Sequence, residues 1–155
     1  MELLKKENLS TSDNAELELI EFTLGDQYFG IDVARVEEIM RNVYEVTPMP
    51  HANQYVEGVF KQRGTIITII DLAKYLGLPP STSIENDILI VTNFDKIKSA
   101  FHVHTVKDIH RISLADIEKP DTAIYGGESG VANGIAHFED RLITILDFEK
   151  ILRDI

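Results

Sequence analysis

Residues 57–72 read EGVFKQRGTIITIIDL, and the order of residue types in this segment sets the architecture of the chain. The runs on either side of KQRG are rich in β-branched and apolar residues, and KQRG supplies a glycine for a turn. Asp71 follows the second run, where its carboxylate can accept hydrogen bonds from the free N–H groups of a helix over residues 72–76. Gly77 can end that helix. The segment therefore predicts a β-hairpin followed by a short helix.

The same unit returns in the second half of the chain. Residues 58–76 match residues 134–152 identically at seven of nineteen positions, where chance gives about one. The matches include Gly58/Gly134, Thr68/Thr144, Asp71/Asp147 and Lys74/Lys150. A second alignment, of residues 19–39 with residues 89–109, adds weaker matches. Because stacked repeats need about three copies to bury a continuous core, this duplication predicts two small barrels packed together rather than a solenoid.

The composition excludes several classes of protein. The chain has 155 residues and no cysteine, so thiolate catalysis and disulfides are excluded. Fifteen Lys and Arg against 26 Asp and Glu give a net charge of −11, which repels nucleic acid and anionic lipid. No run reaches the roughly 18 apolar residues of a membrane span, and the start of the chain lacks the pattern of a signal peptide. We expect a cytoplasmic protein that binds neither nucleic acid nor membrane.

The remaining segments favour a mostly β domain. Polar residues 1–17 predict a flexible N-terminal arm, and residues 19–31 predict a hairpin that turns at Gly25-Asp26. Residues 32–39 show helical spacing between strand signals, so they predict either a helix or one helical turn that runs into a strand. Residues 47–50 read TPMP, and prolines exclude a central strand there.

The chemistry-bearing residues give little support to catalysis. His102 and His104 are two positions apart and would share one face of a strand, so a third ligand could make a metal-dependent hydrolase. The possible third ligands are His51, His110 and His137. No carboxylate completes a recognisable metal-ligand spacing, and no phosphate-binding glycine loop is present in the sequence. We therefore expect no enzyme, no metal and no cofactor.

Four residues lack an obvious structural reason. Glu37 and Glu38 interrupt an apolar frame, Arg63 lies at the tip between two apolar strands, and Met49 lies between prolines. Either Arg63 pairs with a carboxylate and Met49 fills a gap in the core, or these residues belong to a protein-binding surface.

Four segments of the chain together resemble the CheW family of chemotaxis coupling proteins. They are LGDQYFGIDV at 24–33, VEEI at 36–39, TPMP at 47–50 and the hairpin segment at 57–72. The resemblance runs from about residue 19 to residue 152, and its most specific part is Gly58, then Arg63-Gly64, then an apolar strand that ends in Asp71-Leu72. Residues 101–151 are similar to the coupling half of CheV.

The resemblance implies two intertwined SH3-like five-stranded β-barrels with short helices over residues 18–155. It implies a scaffold that links the helical-hairpin tip of a chemoreceptor to the regulatory domain of the histidine kinase CheA. CheV proteins carry a C-terminal receiver domain, which we expect to be absent from this chain. The alternative that the residues leave open is a double-barrel module that binds a peptide or protein outside chemotaxis.

The resemblance also implies particular contact residues. Those that match the family's receptor-side groove are Val36, Glu38, Ile39, Gly58 and Arg63, where Arg63 is partly structural. Val43 and Val46 match the kinase-facing side, on a strand expected before Pro48. Lys61-Gln62 departs from the apolar or amide residues that CheW proteins commonly place there.

Overall fold

A computed structural model of the chain describes residues 15–42, 45–120 and 130–155. In these residues ten strands and two α-helices form. The strands are β1 (Glu16–Leu24), β2 (Gln27–Asp32), β3 (Val36–Arg41), β4 (Val56–Gln62), β5 (Thr65–Asp71), β6 (Ile88–Phe94), β7 (Ile97–Val103), β8 (Thr105–Ser113), β9 (Ala132–Phe138) and β10 (Arg141–Leu146). The helices are α1 (Leu72–Tyr75) and α2 (Phe148–Asp154).

The strands form two five-stranded sheets within the described residues. The first has the order β8-β1-β2-β10-β9 and the second the order β3-β6-β7-β5-β4. The predicted mostly β fold is therefore confirmed. Each sheet also takes strands from both copies of the repeat, since β1 and β2 join β8, β9 and β10, whereas β3, β4 and β5 join β6 and β7. This exchange makes the two five-stranded sheets intertwined along the chain.

The described part of the chain divides into two compact units. The first unit comprises residues 15–21, 27–33, 107–120 and 130–154, and the second comprises residues 22–26, 34–42, 45–106 and 155. Each has an apolar core. The core residues of the first unit include Leu17, Leu19, Ile112, Ala136, Ile143 and Ile145. Those of the second include Phe60, Ile67, Ile69, Leu89, Val91 and Ala100. Burying a large aliphatic or aromatic side chain contributes about 1.5–3 kcal/mol before conformational entropy is subtracted.

The residues that match between the two repeats make matching contacts. The Asp71 carboxylate accepts the Lys74 backbone N–H at 3.1 Å, which confirms the predicted cap of α1. In the second repeat the Lys150 N–H donates to the Asp147 carboxylate at 3.0 Å. The lysine side chains also correspond, because Lys74 Nζ donates to the Gln54 carbonyl and Lys150 Nζ to the carbonyl at the equivalent position of the second repeat. The identities between the repeats thus preserve the hairpin-to-helix junction.

The glycine pair Gly58/Gly134 marks a shared β-bulge. In the second unit Val56 pairs with Ile70 but Gly58 pairs with Ile69, which leaves Glu57 as an extra residue. The first unit repeats this shift at Asn133, between Ala132 and Gly134. Beside each bulge an isolated bridge holds a neighbouring segment, Thr47 to Val59 in one unit and Glu118 to Ile135 in the other. The bulge is therefore part of the repeated plan.

Three local expectations are decided by the structure. The chain forms one 3₁₀ turn over Val33–Arg35 and then β3. Of the two predictions for residues 32–39, one helical turn that runs into a strand is therefore confirmed. Strand β1 begins at Glu16, earlier than the expected end of the arm at residue 17, because Leu17 is only 3% exposed and joins the core. Residues 1–14 lie outside the described residues. No regular strand precedes Pro48 in residues 45–47, where Thr47 forms only the bridge to Val59.

Candidate protein-binding site

The five predicted receptor-side residues all lie in the second unit. Val36, Glu38 and Ile39 are on β3, which forms one edge of the second sheet. Gly58 is on β4, which forms the other edge, and Arg63 is in the turn between β4 and β5. The fold therefore places these five residues on the two outer strands of one sheet and in the turn that follows β4.

Two contacts bring these outer strands together. Arg63 Nη1 lies 3.9 Å from Glu38 Oε1, and Gln62 Nε2 donates to Met40 Sδ at 3.9 Å. Met40 also packs against the core cluster that contains Phe60 and Ile67. Side-chain contacts thus close the sheet of the second unit between its two outer strands. This closure is the reason that Glu38 and Arg63 become neighbours.

Arg63 remains available to a partner despite its ion pair. Its side chain is 82% exposed, and ion pairs between exposed groups contribute at most about 1 kcal/mol. Its backbone has φ 51°, in the left-handed region, and Gly64 follows with φ 81°. Glu139, at the matching position of the other repeat, has φ 55°. The unusual conformation at Arg63 is therefore a feature of this tight turn and not a sign of function.

Gly58 lies beneath the segment at residues 46–47 and does not face solvent. It is buried, its φ is 151°, and a Cβ placed on it would lie 2.5 Å from the Thr47 carbonyl oxygen and 2.6 Å from Val46 Cγ1. Only glycine permits this approach, because it has no Cβ. The segment at residues 46–47 thus covers Gly58 and prevents its direct contact with a partner.

Glu38 and Ile39 point to opposite faces of β3. Glu38 is paired with Val91 and Ile39 with Ile90 of the neighbouring strand β6, and successive residues of a strand face opposite sides of its sheet. Ile39 is 41% exposed. Because β3 is an edge strand, one partner could reach both residues only by wrapping around that edge.

Glu37 has a structural explanation that the sequence did not reveal. It accepts a hydrogen bond from Asn93 Nδ2 at 3.2 Å and lies 3.1 Å from Lys98 Nζ. Hydrogen bonds from Asn93 and Lys98 lower the pKa of the Glu37 carboxyl. Met49, in contrast, is half exposed, so it does not fill a gap in the core.

The predicted kinase-side residues are only partly described. Val43 lies outside the described residues. Val46 is 37% exposed and lies against Gly58, in the same unit as the receptor-side residues. The structure thus brings Val46 close to Gly58, although sequence reasoning assigned them to different binding sides.

Exposed apolar residues occur at matching positions of the two repeats, and sequence reasoning identified only Ile39 among them. Ile66 on β5 is 65% exposed and its counterpart Leu142 on β10 is 52% exposed. Ile39 and its counterpart Ile109 are exposed as well. The two alignments of the repeats, combined with strand alternation, are the signal that could have found them.

His102 and His104, which were considered as a pair of metal ligands, make separate contacts. Both ring nitrogens of His102 lie 2.5 Å from carboxylates, Nδ1 from Glu57 and Nε2 from Asp87. His104 Nδ1 instead accepts the Gly25 backbone N–H at 2.8 Å. Within the described residues no group of three or more His, Asp or Glu side chains has an arrangement that could hold a metal ion.

Burial and charge shift the pKa values of these two histidines in opposite directions. Burial lowers the pKa of His102, but its hydrogen bonds to Glu57 and Asp87 outweigh burial and raise the pKa to about 9. Burial lowers the pKa of His104, which has no such carboxylate partner among its hydrogen bonds in the described part of the chain. At neutral pH, His102 is charged and His104 is neutral.

A different ionic cluster lies in the first unit. Arg141 donates to both carboxylate oxygens of Glu21, at 2.7 and 2.8 Å, and His110 Nε2 lies 2.6 Å from Glu21 Oε1. The hydrogen bond from Arg141 lowers the pKa of this fully buried carboxyl against the effect of burial. Arg141 also covers the rings of Tyr28 and Phe138. The cluster has the character of a core ion pair rather than a reactive site.

Two five-stranded sheets, each built from strands of both repeats, define a double-barrel β fold. A model of the CheW-like domain matches residues 18–155, and the chain belongs to this family. The chain is 37% identical to the chemotaxis protein CheV3 of Helicobacter pylori over 91% of its length, and it spans about half (49%) of that relative. It is 32% identical to the chemotaxis protein CheW of Rhizobium meliloti, with 89% of this chain and 88% of that protein covered.

The structural comparison agrees with this assignment. The scaffolding protein TtCheW from Thermoanaerobacter tengcongensis has a crystal structure that matches with a TM-score of 0.76 at 26% identity. The match covers 85% of this chain and 89% of that one. In the described part of the chain, neither α-helix has the length and apolar character needed to cross a membrane.

Proposed function

We propose that the chain is a cytoplasmic chemotaxis coupling protein that binds the helical-hairpin tip of a chemoreceptor and the regulatory domain of CheA, without catalysing a reaction. The observation that carries this proposal is the match to the CheW-like domain over residues 18–155, together with relatives named as chemotaxis and scaffolding proteins. A coupling protein works by binding two partners so that one complex changes the state of the other.

For the receptor, we propose the outer strands of the second unit as the binding surface. Val36 and Ile39 offer apolar area to the apolar stripe of a helical hairpin. Arg63 supplies an exposed guanidinium at the turn, next to the partly exposed Glu38 carboxylate. Such charges select the register of the hairpin and speed association more than they add affinity.

For the kinase, we propose an apolar contact between barrels that includes Val43 and Val46. Exposed Ile66 is a further candidate, since it presents a large aliphatic side chain on β5. Each contact is weak alone, and assembly rests on many contacts acting together.

Co-sedimentation tests the proposal. Membranes that carry a chemoreceptor are mixed with CheA, with and without this chain, and the pellets are compared. We expect the chain to sediment with the receptor membranes and to increase the amount of CheA in the pellet. A chain that stays in the supernatant, and leaves CheA there, would favour a double-barrel module that binds a peptide or protein outside chemotaxis.

A further inference from the structure

His102 occupies a position that demands a charged ring. Its side chain on β7 is only 12% exposed, and each ring nitrogen lies 2.5 Å from a different carboxylate oxygen, Oε2 of Glu57 and Oδ2 of Asp87. An ionised carboxylate only accepts hydrogen bonds, so a ring placed between two carboxylates must donate from both nitrogens. A ring that donates twice is an imidazolium.

Asp87 connects the bridge of Glu57, His102 and Asp87 to the end of β3. The second carboxylate oxygen of Asp87 accepts the Ser81 hydroxyl at 2.6 Å, and its backbone carbonyl accepts the Asn42 N–H at 3.0 Å. Asn42 directly follows β3, which carries the proposed receptor-side residues Val36 and Ile39. Fixing Asp87 thus fixes the place where this edge strand leaves the sheet.

Glu57 connects the same bridge to the buried Gly58. Glu57 is the extra residue of the β4 bulge, immediately before Gly58. Gly58 in turn lies directly beneath Thr47, and Thr47 exchanges two backbone hydrogen bonds with Val59, at 2.8 and 2.9 Å. Holding the Glu57 carboxylate therefore holds the bulge on which the segment at residues 46–47 rests.

We propose that His102 is a positioning residue for the receptor-side surface, a partly buried imidazolium that ties the Glu57 bulge to Asp87 and so holds β3, and Gly58 beneath residues 46–47, in place. The link to receptor binding rests on the proposed function, whereas the charged bridge itself does not.

The first unit has no histidine at the corresponding positions. In the two alignments of the repeats, the positions that correspond to His102 and Glu57 are Asp32 and Asn133. No imidazole stands at either position, so the repeated bulge does not require one. The bridge is an addition to the second unit, which also carries the proposed receptor-side residues.

The charged groups around His102 agree with a charged ring. Glu57 faces it from β4 and Asp87 from the turn before β6, and Asp71 of β5 is its partner in the parallel strand register. Its partner on β6, Leu89, is apolar. His104 is close enough to interact with the His102 charge, and burial lowers the pKa of the His104 ring. His102 thus has two carboxylate partners, Glu57 and Asp87, that favour its charged form.

Nuclear magnetic resonance of the histidine rings tests the charge without any partner. In the isotope-labelled full chain we expect both ring nitrogens of His102 to be protonated at pH 7.5, with loss of a proton only near pH 9. A neutral His102 ring at pH 7.5 would overturn the proposal, whatever the receptor data show.

Receptor binding tests the positioning role. With an isolated receptor-tip hairpin as the probe, we expect the affinity of the unmodified chain to fall about fourfold between pH 7.5 and 9.5, the ratio of the charged fractions of His102. The His102→Gln variant should bind more weakly and lose this pH dependence. His137→Gln is the matched control, because the His137 ion pair with Glu118 is largely exposed, and it should behave like the unmodified chain.

The outcomes separate the two proposals. If His102→Gln does not fold, the pH profile of the unmodified chain decides, and a flat profile would overturn the positioning role. If the hairpin binds no form of the chain at either pH, the proposed function fails. The positioning of the backbone is then judged by the amide resonances of residues 39–42 and 46–47. Their movement in the Glu57→Gln variant supports it, and unchanged resonances contradict it.

Discussion

Gly58 lies so close to Thr47 that a Cβ on Gly58 would be 2.5 Å from the Thr47 carbonyl oxygen. Backbone atoms cannot yield as a flexible side chain can, and φ at Gly58 is 151°. We expect Gly58→Ala to lower the free energy of unfolding by about 2–4 kcal/mol through overpacking and backbone strain. Denaturant titration measures this change.

Gly64→Ala is the control for that measurement. Gly64 also has positive φ, but nothing lies within 4 Å of a Cβ built on it. It should cost only about 1–2 kcal/mol, the penalty of the left-handed conformation. Equal losses for the two variants would show that crowding under Thr47 has no energetic consequence.

Arg63→Ala should weaken binding to the receptor hairpin by about 1–3 kcal/mol while the domain stays folded, because it removes an exposed charged anchor. Arg63→Asn is a second test, since asparagine tolerates the left-handed conformation and carries no charge. Calorimetric titration with the hairpin measures both. Glu139→Ala, in the matching turn of the other repeat, should bind like the unmodified chain. Intact binding by both Arg63 variants would remove Arg63 from the surface.

Val36→Asp should harm receptor binding more than kinase binding, because it places a charge on the edge strand proposed for the receptor. Val106→Asp is the matched control, since Val106 stands at the corresponding position of the other repeat and is similarly half-buried. Separate affinity measurements with the hairpin and with the CheA regulatory domain give the comparison. An equal loss of both partners in Val36→Asp would mean that the two binding surfaces are not distinct.

Ile66→Ser and Leu142→Ser form a pair that tests which unit binds the kinase. Each removes an exposed aliphatic side chain at the same position of a repeat, so neither should change the free energy of unfolding by more than about 0.5 kcal/mol. We expect Ile66→Ser to weaken binding to the CheA regulatory domain by about 1 kcal/mol or more and Leu142→Ser to leave it unchanged. The reverse pattern would assign the kinase contact to the first unit.

His104 should make the domain less stable in weak acid. Burial lowers its pKa in the folded chain, so this neutral ring contributes stability that is present above the unfolded pKa of about 6.5 and is lost as pH falls from there through the depressed folded value. Protonation of Nδ1 also removes the acceptor of the Gly25 N–H. Urea unfolding between pH 7.5 and 5 measures the loss, and His104→Gln should show a smaller one. An identical pH dependence in the variant would contradict the assignment.

His102 shifts the stability of the same unit in the opposite sense. Its pKa is raised to about 9 in the folded chain, so its contribution is fully present below about pH 6.5 and is lost as pH rises through 9. The two neighbouring histidines together favour an intermediate pH for greatest stability.

Much of the fold followed from local signals. Turn residues, alternation and the cap at Asp71 predicted the hairpin and helix at residues 56–77, and these elements are confirmed because their hydrogen bonds join residues close in sequence. The site was predicted less completely. Glu38 and Arg63 were each named, but their pairing depends on closure of a sheet between its two edges, which no local pattern expresses.

The sequence by itself determined the repeated hairpin-to-helix unit, since turn geometry, helix capping and strand alternation act over a few residues. Only the tertiary structure decided which strands of each repeat join which sheet, because burial of apolar faces over the whole unit selects the strand pairing. It also decided that Glu57 and Asp87, 45 and 15 residues from His102 in sequence, would meet at one imidazole. Such long-range contacts form only when the core brings their strands together.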